Sequence, residues 1–325
     1  MKKITLLITL VMAFSLSLNA WKIDGLGTYK FEKVNQNVWV MHGPVMMPNK
    51  LNGGFMNNPA VVESENGLIV IDPGGNYNVG KDILKEVQKI SPKPVIAIFN
   101  THKHGDHWFA NKNFVEAYPD VKIYALTYMI EQVKESAADL WYDILNRLTG
   151  GNLVGSNNPF AFPNTGVDHK EIVEVDGQTF IMRHPARGHT DTDLLIEHVN
   201  SKTLFLGDNL MKGRFGAFDF SSSLYGNIEI LENVINKKDG YGEYNLYVPG
   251  HGPSGALHET LDPFLNYMKI VVAGAEKAYA NDMESYEIKP EVMDNLKDYH
   301  SWDDIEGQMG KHLMKAWSEV EARDE

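Results

Sequence analysis

The spacing of hydrophobic and polar positions changes several times along the chain. From Tyr29 to Val40 the two kinds alternate loosely, as in a half-buried strand. "PAVVESENGLIVIDPGG" (59–75) sets two β-branched runs around a polar "SENG" turn, which predicts a β-hairpin whose second strand ends at Asp72. A helical period follows over about 78–90, and the fully apolar "VIAIF" (95–99) reads as a buried strand. "IYALTYMIEQVKESAADLWYDILNRLTGG" predicts a short strand and then a long helix stopped by Gly150 and Gly151. Residues 152–165 read as loop, with further strands expected at 171–175, 179–183, 193–199, 203–206 and 246–248. Beyond about Gly255 the strand signals vanish. The last segment opens at Ser301 and places Ile305, Met309, Leu313, Ala316 and Val320 on one helical face, expected to pack on the domain or on a second subunit. The strand-helix-strand series indicates an α/β layered domain over 21–255, followed by a helical C-terminal extension over 256–325.

The first twenty residues have another character. Lys2 and Lys3 precede an uncharged apolar run from Ile4 to about Leu18, ending in small or polar residues at Ala20. The run is too short for a spanning helix and is expected to be a secretory signal peptide, against the alternative of a buried N-terminal helix. The destination expected is the periplasm, or the medium. Without cysteine there is neither a lipid-anchored cysteine nor a disulfide, so the exported product is expected to carry no membrane anchor. Removing two lysines takes the formal charge from −13 to −15. Such an acidic surface repels phosphate backbones, which argues against nucleic-acid substrates and leaves a small molecule as the expected partner.

Chemistry concentrates in "THKHGDH" (101–107), directly after the "VIAIF" strand. His102 and His104, one residue apart in extended chain, point to the same side, and Asp106 and His107 follow at an expected helix start. Three more pieces fall beyond or between strand signals: His189 in "RGHTDTD", Asp208 in "LFLGDNL" and His251 in "LYVPGHGPSG". Five histidines and two aspartates are enough for two ions that share a carboxylate and keep a position open for water.

In "THKHGDH", "GHT", "GD" and "GHG", in this order, the chain resembles the metallo-β-lactamase superfamily over about residues 30–255. The resemblance implies a four-layer αββα sandwich with metals at one edge of the sheets. It implies that His102, His104 and His189 bind the first metal, that Asp106, His107 and His251 bind the second, and that Asp208 bridges them. Asp72 in "IVIDPGG" matches a buried aspartate that braces the metal-binding loop; a turn-capping aspartate is the plainer reading.

Such a centre implies hydrolysis through a metal-bridging hydroxide, with Asp106 orienting it and passing a proton to the leaving group. The expected metals are two Zn2+, with iron or manganese able to substitute. The β-lactamases of the family use a cysteine ligand or lack a bridging aspartate, so Asp208 without cysteine resembles more the glyoxalase II, lactonase and exported metallohydrolase branches. An ester, thioester, lactone or amide of a small molecule is the expected substrate. Three alternatives remain: a mononuclear iron redox enzyme of the sulfur dioxygenase kind, a member that hydrolyses β-lactams, and a non-catalytic metal binder. His104 stands where the flavodiiron branch has glutamate, and the basic surface of the nuclease branch is missing. Lys212 and Arg214, in "NLMKGRFGAFD", are candidate contacts for a substrate carboxylate, with solvated surface as the alternative. "GPVMMPNKLNGGFMNNP" (43–59), with Met46, Met47 and Phe55, is a candidate flap.

Overall fold

The computed structural model describes residues 26–151, 159–185 and 187–324. The expected signal peptide, 1–20, lies outside the described residues. One sheet runs in the order β1 (Glu32–Asn35), β2 (Val38–Val40), β3 (Ala60–Glu63), β4 (Leu68–Ile71), β5 (Val95–Phe99), β6 (Lys122–Leu126), β7 (Thr165–Val167). It is antiparallel from β1 to β4 and parallel from β4 to β7. The other contains β8 (Ile172–Val175), β9 (Gln178–Arg183), β10 (Leu195–His198), β11 (Thr203–Met211) and β12 (Leu246–His251) in that spatial order, with only the β11–β12 pair parallel. The helices are α1 (Tyr77–Ile90), α2 (Gly105–Trp108), α3 (Asn111–Ala117), α4 (Thr127–Gln132), α5 (Ala138–Leu148), α6 (Leu224–Ile235), α7 (Leu257–Ala280), α8 (Lys289–Asn295) and α9 (Ile305–Asp324).

Strand alternation sets the layers. Ala60, Val62, Ile69 and Ile71 point between the sheets, where they join Phe180, Ile196 and Phe205 in one core. Val61, Leu68 and Val70 face the other way, toward Val79, Ile83 and Val87 of α1 and Phe114 of α3. Outward residues of the second sheet, Leu204, Leu206 and Tyr247, share a third core with α6, α7 and α9. The result is an αββα sandwich with a helical C-terminal extension.

The structure departs from the periodicity in four places. The long helix expected after β6 is two helices, α4 and α5, joined by a π-helical turn at Val133–Ala137. β7, three residues with a glycine, is too short to show a period, and α6 also fills a stretch for which no element was expected. β11 does not stop where its apolar run does; it continues through buried Asp208 and Asn209 to Met211. A polar residue reads as the end of a strand unless something inside the protein needs it there. The apolar face of α9 lies against α7 within the same chain, so a second subunit is not needed to cover it. Among the described residues no helix is long and apolar enough to cross a membrane.

Candidate metal centre

Each sequence-predicted ligand arrives from the end of a strand or from the loop after one. β5 ends at Phe99, His102 and His104 lie in the loop that follows, and Asp106 and His107 occupy the single turn of α2. His189 lies between β9 and β10, Asp208 in β11, and His251 is the last residue of β12. Two glycines permit the approach: a Cβ on Gly75 would come within 2.3 Å of Asp106 Cα, and one on Gly250 within 2.0 Å of Asp208 Oδ1.

The seven side chains are buried and form two groups that share Asp208: His102, His104, His189 and Asp208, and Asp106, His107, His251 and Asp208. Within each group the ligand atoms all lie within 4.8 Å of one another. In the first, His104 Nδ1 is 3.0 Å from His189 Nε2, and Asp208 Oδ2 is 3.4 Å from His189 Nε2 and 3.8 Å from His102 Nε2. In the second, His107 Nε2 is 3.1 Å from Asp208 Oδ1 and 3.4 Å from Asp106 Oδ2, and His251 Nε2 is 3.2 Å from Asp208 Oδ2 and 3.4 Å from Asp106 Oδ2. Donors about 2.0–2.1 Å from an ion at tetrahedral angles stand about 3.3 Å apart, the spacing found here. Moreover, His102 Nε2, His107 Nε2, Asp106 Oδ2 and Asp208 Oδ1 are buried without a hydrogen-bond partner. Unpaired buried polar atoms are costly, and their convergence fits bound cations.

The far side of each ring is held. Asp72, with φ of 48°, accepts from Thr101 N (2.9 Å), Thr101 Oγ1 (2.6 Å) and His107 Nδ1 (2.8 Å). His107 is thereby protonated at Nδ1 and presents Nε2 inward. Having given its proton to Asp72, the Thr101 hydroxyl accepts from His102 Nδ1 at 3.0 Å. His251 Nδ1 donates to the Met56 carbonyl at 2.8 Å.

Burial and mutual charge set the protonation. Burial and the neighbouring His107 hold His102 well below its ordinary value, and burial brings His189 to about 3. Burial opposes charge on His107 too, but the carboxylates of Asp208, Asp106 and Asp72 outweigh it and hold that imidazole well above the usual range. Burial would raise Asp106 and Asp208, yet His107 and His251 pull both well below the carboxylate range.

Of the two candidate substrate contacts, the structure brings one to the site. Arg214 lines the cavity over the ligands together with Met47, Met56 and Trp141. Lys212 does not line it; its Nζ is 3.3 Å from Glu259 on α7. From the candidate flap, Met47 and Pro48 line the cavity, whereas Phe55 is core and packs edge-on to Tyr29. His184 is half-buried against the Asp193 carbonyl at 2.8 Å, outside the lining.

The spacing of the motifs left four neighbours unseen. Asp193, two residues past the Asp191 noted in "RGHTDTD", accepts from Thr190 N and Oγ1 and fixes the His189 loop, while Asp191 pairs with Lys103 Nζ at 2.6 Å. Trp141 of α5 lies 4.0 Å from His104, ring centre to ring centre, and Asp219 Oδ2 is 3.8 Å from His104 Nε2. His312 of α9 donates from Nε2 to the carbonyl of Gly216, a cavity-wall residue, at 2.8 Å, and its Nδ1 accepts the Tyr267 hydroxyl.

That arrangement needs a neutral ring, and burial lowers His312 to about 4. With a folded value below the unfolded one of about 6.5, its contribution is complete above pH 6.5 and is lost as pH falls toward 4, by about 3 kcal/mol in all. His312→Gln is expected to be less stable at pH 7 and to lose less stability between pH 6.5 and 4. Thermal unfolding of both forms in chelator across that range checks it; parallel curves would contradict it.

Residues 52–251 match the family model described as the Metallo-beta-lactamase superfamily. A metallo-beta-lactamase type 2 from Bacillus cereus is 25% identical over 249 residues, 73% of this chain and 82% of that protein. A hydroxyacylglutathione hydrolase from Francisella philomiragia is 27% identical over 201 residues, 62% of this chain and 65% of its own. Among solved structures, a metallo-beta-lactamase from Pontibacter korlensis matches with a TM-score of 0.57 at 16% identity, covering 74% of this chain and 99% of its own. A double mutant of a sec-alkyl sulfatase matches with a TM-score of 0.69 at 15% identity, covering 90% of this chain and 50% of its own.

Proposed function

Because this chain belongs to the metallo-beta-lactamase superfamily, we propose that it is an exported, metal-dependent hydrolase that holds two zinc ions and cleaves an ester, thioester, lactone or amide bond of a small molecule. The observation that carries the reading is the pair of buried ligand groups sharing Asp208. His102, His104 and His189 would hold one ion, Asp106, His107 and His251 the other, with Asp208 common to both. The hydrolase and lactamase names among the relatives support hydrolysis. Bound there, two Lewis-acidic ions make water acidic enough to serve as nucleophile near neutral pH and polarise the oxygen under attack. The chain's part is positional. Asp72 and Thr101 keep His107 and His102 in the tautomers that face inward, and Asp106, ionised by its histidine neighbours, is the group to orient the water and pass its proton to the leaving atom through Oδ2.

Arg214 is the binding group. Its Nη1 is 3.1 Å from Met56 Sδ, its Nη2 3.0 Å from Met47 Sδ, and its Nε has no hydrogen-bond partner. A buried guanidinium resting on thioethers rather than a carboxylate is costly to keep and ready to take an anion. Arg214→Met is expected to raise KM for a carboxylate-bearing substrate about 10- to 100-fold with a smaller change in kcat, whereas Lys212→Ala, already paired with Glu259, changes it by less than about threefold. Steady-state kinetics on both variants decide this; equal effects would remove Arg214 from substrate binding.

Metal analysis of the purified protein, with intact mass on the same sample, tests the whole reading. About two zinc per chain, turnover of a thioester, lactone or β-lactam, and a chain starting at Trp21 are expected. About one iron with oxygen uptake would replace hydrolysis by the redox alternative, and a chain still starting at Met1 would remove export.

A further inference from the structure

On α5, Leu140, Trp141, Ile144 and Leu148 fall at 0, +1, +4 and +8, within one 100° arc of the helix. Three of them, Trp141, Ile144 and Leu148, line the same cavity as His104, Asp106 and Asp208, opposite Met47 and Pro48. The stripe nevertheless continues outward into water. Leu140 is 52% exposed, Leu148 39%, and Leu51, in the loop beyond Pro48, 58%. The core side of α5 is served by Ala138 and Leu145, so folding does not require these leucines to be apolar. From Leu140 to Leu148 the stripe spans about 12 Å at 1.5 Å per residue.

We propose that this stripe is a binding groove for a linear apolar tail, so that the substrate is an amphiphile: a hydrocarbon chain along α5 with its scissile head over Asp106 and Asp208. The proposal rests on the hydrolase reading for the head and on the continuity of groove and cavity for the tail. A tail half-covered on an open groove recovers about half of the transfer free energy of each methylene, which corresponds to about twofold in affinity per carbon.

The test is binding of n-alkyl carboxylates of four, six, eight and ten carbons to the zinc-loaded protein, by calorimetry below their micellar concentrations. Affinity is expected to rise about twofold per carbon. Leu140→Ser/Leu148→Ser is expected to flatten that dependence, and Ile172→Ser, an equally exposed apolar position on β8, to leave it intact. Affinity independent of chain length, or an unchanged slope in the double variant, would overturn the groove. So would a double variant that alters only the oligomeric state by gel filtration, for the stripe would then be a contact between copies. Because binding requires no turnover, a chain-length slope without hydrolysis would defeat the proposed reaction while leaving the groove.

Discussion

Asp208→Ala is expected to lower bound zinc from about two ions per chain to about one and to cut turnover by more than a hundredfold. Asp208 belongs to both ligand groups, with Oδ1 3.1 Å from His107 Nε2 and Oδ2 3.2 Å from His251 Nε2 and 3.4 Å from His189 Nε2. Only two of the seven ligands are carboxylates, so alanine leaves Asp106 as the sole anion for two divalent ions held about 3.5–4 Å apart, where repulsion is strong. The ion expected to leave is the one on Asp106, His107 and His251. Losing an outer support for a ligand costs about 10- to 100-fold, and losing a shared ligand should exceed that. Asp208→Asn keeps the shape and removes the charge, and should behave like alanine. Metal content by mass spectrometry beside turnover reads both effects, and unchanged values in the alanine variant would end the shared-ligand assignment.

The second large effect is expected at a residue that touches no ion. Asp72→Asn should weaken metal binding about 10- to 100-fold while costing less stability than Asp72→Ala. Asparagine tolerates the φ of 48° that Asp72 adopts, so the turn survives. Its amide presents only one acceptor oxygen where three donors now converge, and its NH2 would face either Thr101 or His107. His107 is then pushed toward the tautomer with its proton on Nε2, the atom needed inside. Alanine instead leaves the three donors unpaired and forces a less tolerant residue into the left-handed region, with a cost of about 3–5 kcal/mol. Zinc titration and chemical unfolding of the metal-free variants separate the two. A large loss of stability with normal affinity in Asp72→Asn would make Asp72 a turn residue only.

Much of the centre was legible before any coordinates because its parts are local. "THKHGDH" delivers four of the seven ligands from one loop after a recognisable strand, and the other three sit in short glycine-bearing pieces at strand ends. Asp72 was legible for the same reason, at the end of a β-branched run. Lys212 and Arg214 show the limit. Two residues apart and alike in charge, they read equally as pocket or surface, but one is paired with α7 and the other is buried beside His251. That difference depends on what packs over the loop: Asp303, far along the chain, pairs backbone with Arg214 and accepts from Met47 N at 2.8 Å. His312, without motif context, is likewise placed by α9 against the cavity wall.

By itself, then, the sequence determined the layer architecture and the chemistry of the ligands, since strand period, turn glycines and side-chain type are properties of short stretches. The tertiary structure decided which nitrogen each histidine turns inward, which cation is desolvated, and that an apolar stripe of α5 runs into the cavity. Those depend on contacts between residues tens to hundreds of positions apart, and such contacts are fixed by how the layers pack rather than by the period of either segment.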